Sequence, residues 1–228
     1  MIKKYIRLII CLVFIIDVFS GITIANPSEF VAGEHFKTLR TFGATKKNIG
    51  NVPYEILNAK SKHKPQIMMF FSYGCHGCWK INKYFTDWCI ANKNNIEVLW
   101  VPVAYNNVWE GLAKLYYVNK ELGFTEDHEE IFARVNRDYK KLWLESEVLN
   151  FYAKKNIAQD QVLKIYNSFD VARKIKKAIE VANFYEVHLT PNIILHVQKN
   201  SYMINFTMVQ NVEDLFKVID YLIKVNPG

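Results

Sequence analysis

Residues 70–80 read Phe70-Phe-Ser-Tyr-Gly-Cys75-His-Gly-Cys78-Trp-Lys80, FFSYGCHGCWK. The stretch closes an apolar run, QIMMFFS at 66–72, that follows Pro65 and shows no polar alternation. Such a run is expected of a strand buried on both faces. Gly74 breaks it, and from Cys75 or His76 the spacing changes. Ile81, Tyr84, Phe85, Trp88 and Cys89 recur at three- and four-residue intervals, as on one face of a helix. The two cysteines therefore sit where a strand meets the start of a helix.

Working outward, Tyr54-Glu55-Ile56-Leu57 is a short strand expectation on the N-terminal side, and IEVLWVPV at 96–103 is a strand on the C-terminal side. A strand, a helix and a strand in that order predict a parallel pair joined by a crossover. From about Asn106 to Glu186 the pattern is helical. EEIFARVNRDYKKLWLES and FDVARKIKKAIEVANFY show apolar faces, the second through Ala172, Ile175, Ile179 and Ala182. Gly123 and the Asn156–Asp160 region mark helix boundaries. Strands return at Asn192–Val197, after Pro191, and at Tyr202–Met208, with a turn at Lys199-Asn200-Ser201. The last helix has Asn211 as its N-cap and a stripe of Val212, Leu215, Phe216, Ile219, Leu222 and Ile223. The order matches an α/β fold, a thioredoxin-type core at 26–105 and 187–228 with a helical domain inserted at 106–186.

The first 25 residues have the layout of a secretory signal peptide. Lys3, Lys4 and Arg7 precede an apolar segment from Leu8 to about Phe19, and Thr23 and Ala25 suit a cleavage site. The segment is interrupted by Asp17 and is short for a spanning helix of about 20 residues, although an uncleaved anchor is the rival reading. The net charge of +7 is spread over scattered lysines, which describes a solvated surface and argues against nucleic acid as a partner. Half of the residues are hydrophobic, enough for a sizeable core. Beyond the signal segment, which takes Cys11, the chain keeps Cys75, Cys78 and Cys89. One close pair and one leftover is not the pattern of a disulfide scaffold.

Three uses of the pair are open at this stage. A cysteine at a helix N-terminus faces unpaired N–H groups and the positive end of the helix dipole, which favour thiolate. Redox chemistry would then run through Cys75 as nucleophile and Cys78 as the resolving thiol. Zinc would need four ligands, and His63 and His76 do not supply a second paired knuckle. A purely structural disulfide closing so short a loop would stabilise only weakly. Cys89, beside Trp88 and Phe85, is expected to be a buried, inert thiol.

With FFSYGCHGCWK, HLTPNIIL at 188–195 and the helical block between them, the chain resembles the DsbA family of exported thiol:disulfide oxidoreductases. The resemblance implies a thioredoxin-like fold, a redox-active Cys75–Cys78 disulfide with no further cofactor or metal, and a cis bond before Pro191. It also implies that the Thr190 backbone pairs with an extended substrate. Three positions depart from the family pattern. His76-Gly77 stands between the cysteines where Pro-His is usual, so that His76 would help hold the Cys75 thiolate and Gly77 would loosen the turn. Met69 and Asn82 occupy positions where the best-known relatives carry carboxylates, which leaves water or Lys80 for proton transfer.

The expected function is a monomeric periplasmic oxidase that introduces disulfides into unfolded or reduced exported proteins. A DsbB-like, quinone-linked membrane protein would recharge it. The alternatives are an isomerase or reductase kept reduced, or a non-catalytic module that binds metal or clients on the same fold.

Overall fold

The computed structural model describes residues 30–39 and 64–226. Ala32–Gly228 forms one compact unit; Met1–Val31 is assigned to another, of which only Phe30 and Val31 are described. The signal segment expected at 1–25 and the strand expected at Tyr54–Leu57 lie outside the described residues.

Among the described residues five strands form one sheet, in the order β1-β5-β4-β2-β3. They are β1 (Lys37–Leu39), β2 (Gln66–Phe71), β3 (Glu97–Pro102), β4 (Asn192–Val197) and β5 (Asn200–Asn205). All six residues of β2 are buried, which accounts for its unbroken apolar character. It pairs in parallel with β3, Gln66 opposite Glu97 and Phe71 opposite Pro102. Its other edge pairs antiparallel with β4, Gln66 opposite His196 and Phe70 opposite Asn192. The parallel register follows from the crossover through helix α1 (His76–Asn92).

The helices between β3 and β4 are α2 (Asn107–Glu121), a 3₁₀ turn at Thr125–Asp127, α3 (His128–Asn136), α4 (Glu145–Ala153), α5 (Gln159–Tyr166) and α6 (Phe169–Phe184). Helix α7 (Val212–Lys224) closes the chain. Helix α2 ends before Gly123, which takes φ +79°, and Asn156, at φ 60°, lies between α4 and α5. Left-handed backbone of this kind ends helices.

Side chains leave β2 in alternate directions and so join two cores. Met68 and Phe70 pack with Val181, Ala182 and Tyr185 at the end of α6 and with Ile194 of β4. Phe71 points the other way, into a cluster with Leu115, Ile131, Phe132 and Tyr152 of the helical segment. Cys75 and Cys78 belong to that second cluster. The pair therefore lies at the seam between the sheet and the helical segment. Each fully buried side chain of this size contributes about 1.5–3 kcal/mol, so the seam is a strongly held part of the fold.

Several local expectations need correction. EEIFARVNRDYKKLWLES is not one helix: it ends at Asn136, Tyr139 takes φ 52°, and a new helix begins at Glu145. The buried face of α6 is Val171, Ile175, Ala178, Val181 and Ala182, while Ala172 and Ile179 are exposed. Lysines at 174, 176 and 177 obscure that face, because the three- and four-residue spacing fits either choice. Tyr84 in α1 is exposed as well.

The β4–β5 turn is Gln198-Lys199 alone, since Val197 pairs with Asn200, and Gln198 takes φ 57°. Ser201 is thus already a strand residue, fully buried, with its hydroxyl 2.6 Å from His196 Nδ1. Strand β5 stops at Asn205, short of Met208. In α7, Asn211 caps as expected, its Oδ1 accepting from the Asp214 N–H at 2.8 Å. The buried stripe is Leu215, Val218, Ile219 and Leu222, so Val218 is added and Val212 and Ile223 are only half-buried. β1 has no counterpart in the sequence reading. Three residues cannot show alternation, and it becomes a strand by pairing with β5.

Candidate active site at the start of helix α1

Cys75 is the N-cap of α1, with extended backbone (φ −89°, ψ 108°), and its Sγ accepts the Cys78 N–H at 3.1 Å. An N-cap normally offers an oxygen to one of the unpaired N–H groups of the first turn. Here a sulfur does so, and the first turn carries no acidic residue to compete for the positive end of the helix. Cys75 and Cys78 form a disulfide with their Cα atoms 5.2 Å apart. Both are buried, Cys75 at 7% exposure and Cys78 at 1%, so an incoming group meets the first sulfur more readily.

The loop leading to Cys75 is held from both sides. The Cys75 N–H donates to the Ser72 carbonyl at 3.0 Å, and the Gly74 N–H to Ser72 Oγ at 3.2 Å. From α3, Asn136 Nδ2 donates to the Tyr73 carbonyl at 2.8 Å, and His128 Nδ1 lies 2.8 Å from the Tyr73 hydroxyl. Burial pushes the Tyr73 phenol well up and the His128 imidazole down to about 3, so both are neutral. Sequence reasoning missed His128 and Asn136. Their partners lie 55 and 63 residues away along the chain, and no local motif marks such a contact.

Pro191 faces this turn, with Thr190 directly before it in the chain. The Thr190–Pro191 bond is cis, Pro191 is buried, and Thr190 is half-buried beside an exposed Leu189. A β-carbon on Gly77 would stand 3.1 Å from Pro191 Cδ and 4.0 Å from Cys75 Sγ. Rather than loosening the turn, Gly77 admits the proline ring against it.

His76 is exposed, and its ring lies edge-on to Trp79 with centroids 5.4 Å apart. Trp79 is half-buried against the helical core, and Lys80 is exposed. Met69 is fully buried. Asn82 is 2% exposed, and its Nδ2 donates to Glu129 Oε2 at 3.0 Å, a carboxylate the sequence reading did not connect to the site. Cys89 is half-buried rather than fully enclosed, and desolvation pushes its thiol up to about 12, where it stays protonated. Among the described residues no group of three or more His, Cys, Asp or Glu is gathered in metal-holding geometry.

A disulfide at a helix N-terminus, on a βαβ core with a returning hairpin, defines the class: a thioredoxin-like thiol:disulfide oxidoreductase with a helical insertion. Its relatives are thiol:disulfide interchange proteins named DsbA. The chain is 24% identical to DsbA of Pseudomonas aeruginosa over 162 residues, 71% of this chain and 75% of that one. It is 26% identical to DsbA of Azotobacter vinelandii over 71% of this chain and 74% of that one. Similarity to DsbA of Burkholderia cepacia runs through 96% of each chain at 21% identity. The crystal structure of Pseudomonas aeruginosa DsbA superposes with a TM-score of 0.73 at 22% identity, covering 88% of this chain and 96% of that one. The Xylella fastidiosa DsbA structure gives 0.68 at 20% identity, with 86% and 97% covered. No protein-family profile matches the chain. The resemblance to DsbA and the fold expected from it are thus borne out.

Proposed function

We propose that this oxidoreductase works as an exported, periplasmic disulfide donor. A client thiolate attacks Cys75 Sγ, the Cys75–Cys78 bond breaks, and Cys78 leaves as the reduced sulfur. A second client thiol then attacks the mixed disulfide, leaving the client oxidised and this protein as a dithiol. A quinone-linked membrane protein of the DsbB kind would restore the disulfide. Unfolded chains would lie along the Thr190 backbone, which borders the exposed Leu189, and pair with it edge-on.

The observation that carries the reading is the Cys78 N–H donating to Cys75 Sγ at the cap of α1. In the reduced protein the same N–H and the helix dipole act on a thiolate, which they favour over a thiol. Stabilising the thiolate stabilises the dithiol state and makes the disulfide a better oxidant, an effect for which DsbA is itself the familiar example.

Equilibration of the Cys75–Cys78 pair with glutathione tests the direction. A potential above that of the glutathione couple is expected; one clearly below it would make the protein a reductase. In parallel, Cys78→Ala with Cys75 first loaded as its glutathione mixed disulfide should exchange glutathione for a client thiol, releasing glutathione thiolate and accumulating mixed disulfides with reduced exported proteins, which Cys75→Ser should not.

A further inference from the structure

Asn82 lies four residues beyond Cys78 on α1, and side chains at that spacing are neighbours on one helix face. Its orientation is set by Glu129. A carboxylate only accepts, so the end of the amide at Glu129 Oε2 must be Nδ2, and the carbonyl end faces away. That carbonyl oxygen, Oδ1, is buried and has no hydrogen-bond partner among the described residues. A buried acceptor left unmet is costly enough that a donor is expected in some state of the protein. In the disulfide form Cys78 has no hydrogen to donate. Once the Cys75–Cys78 bond opens, Cys78 carries an S–H one turn away.

We propose that Asn82, held in place by Glu129, accepts the Cys78 S–H whenever the disulfide is open, and so keeps this sulfur a thiol. Asn82 is thus a residue that touches a reacting atom, and Glu129 is a positioning residue. The inference rests on the redox reading of Cys75–Cys78. When a client thiolate attacks Cys75, its sulfur is oxidised. Cys78 takes the electron pair of the broken S–S bond and then a proton from solvent. A hydrogen bond to the neutral form disfavours ionisation. Cys78 is thereby slowed in attacking back on Cys75, which would expel the client still reduced. The mixed disulfide lasts longer, and the second client thiol gains time to complete the oxidation.

The charged groups around this pair come from several elements. Lys83 of α1 feels the Glu129 charge, Asp127 and Glu130 flank Glu129, and Arg134 and Lys155 both reach Glu130. His128, next to Glu129, is held neutral. None of these is altered in the test.

The test follows the reduced full-length protein reacting with dithiobis(nitrobenzoate). The first coloured thiolate is released by attack of Cys75, and the second by attack of Cys78 on the mixed disulfide. Asn82→Ala should speed the second phase about tenfold at neutral pH and move its pH profile about one unit lower. Asn82→Asp should slow that phase, because a carboxylate raises the pKa of a neighbouring thiol. Glu129→Gln, which can present either end of its amide to Asn82, should shift the profile in the direction of Asn82→Ala. In each variant the first phase should change less than the second, because Asn82 lies against Cys78 rather than Cys75. Opposite shifts for alanine and aspartate cannot come from loosened packing, which would move both the same way. An unchanged second phase, or equal shifts for both variants, overturns the proposal. If the unaltered protein shows no fast first phase, it is the oxidoreductase reading that fails instead.

Discussion

Gly77 and Pro191 meet across the active-site turn so closely that a β-carbon on the glycine would stand 3.1 Å from the proline ring. Two effects of Gly77→Ala oppose each other. Alanine is favoured over glycine in a helix by up to about 1 kcal/mol, and overpacking costs about 1–3 kcal/mol. Thermal unfolding should thus show little change or a small loss. Exchange with a reduced peptide should fall about threefold, since the ring must shift by tenths of an ångström, well short of the shift that costs about a hundredfold. Gly77→Val should lose about 1–3 kcal/mol outright. A variant with unchanged exchange kinetics would show that the close approach has no part in client binding.

The sulfur at the cap predicts a pH dependence of the redox equilibrium. A thiol whose folded pKa lies below its unfolded value stabilises the folded dithiol protein. That contribution is fully present above the ordinary cysteine value of about 8.5 and is lost as pH falls through the folded value. The reduced protein should thus resist denaturant better than the oxidised one at neutral pH, with the gap closing in acid. Urea unfolding of both forms at a series of pH values measures this. An ultraviolet titration that finds Cys75 ionising like free cysteine would remove the cause.

Two buried histidines predict a second acid effect, independent of redox state. Burial lowers His128 to about 3 and His196 to about 4. Each is half-buried as a residue, but His128 Nε2 is closed off from solvent, and His196 is engaged by Tyr185 and Ser201. Below about pH 6.5 the unfolded chain binds protons that the folded chain refuses, so stability falls as the pH drops from there. At pH 5 each should cost about 1–2 kcal/mol. His128→Phe should remove its share of that loss, read as a smaller change in urea midpoint between pH 7 and pH 5.

Gly111 in α2 tests the packing of the helical segment. A β-carbon there would come 2.3 Å from the Trp143 carbonyl oxygen, a backbone atom that cannot turn aside. Gly111→Ala should therefore destabilise by about 1–3 kcal/mol despite its better helix propensity. Gly123→Ala makes a useful comparison: it meets nothing nearby, and its cost comes only from the left-handed backbone at φ +79°.

The sheet core and the cysteine pair were legible because their signals are local. The run at 66–71 has no polar residue from Ile67 onward, and the spacing of Cys75 and Cys78 is visible at a glance. The partners of the site were not. Glu129, Asn136 and His128 reach it from a helix that, read alone, shows only a charged face and two buried residues, Ile131 and Phe132. On the buried face of α6, Ile175 and Ala182 are as expected, but Ala172 and Ile179 each miss by one position, since Val171 and Ala172 are equally apolar and only the tertiary contacts choose between them. The β4–β5 turn was misplaced because Asn200 and Ser201 have turn-like chemistry, whereas the pairing register puts them in the strand.

The first helix is fastened at its head by the same atom that would take part in exchange. Replacing Cys75 with alanine thus creates a double lesion, erasing reactivity and also freeing an amide hydrogen, at about 1 kcal/mol. Serine, whose hydroxyl can take over the fastening, separates the two losses and makes the sounder inactive control for any experiment on this protein.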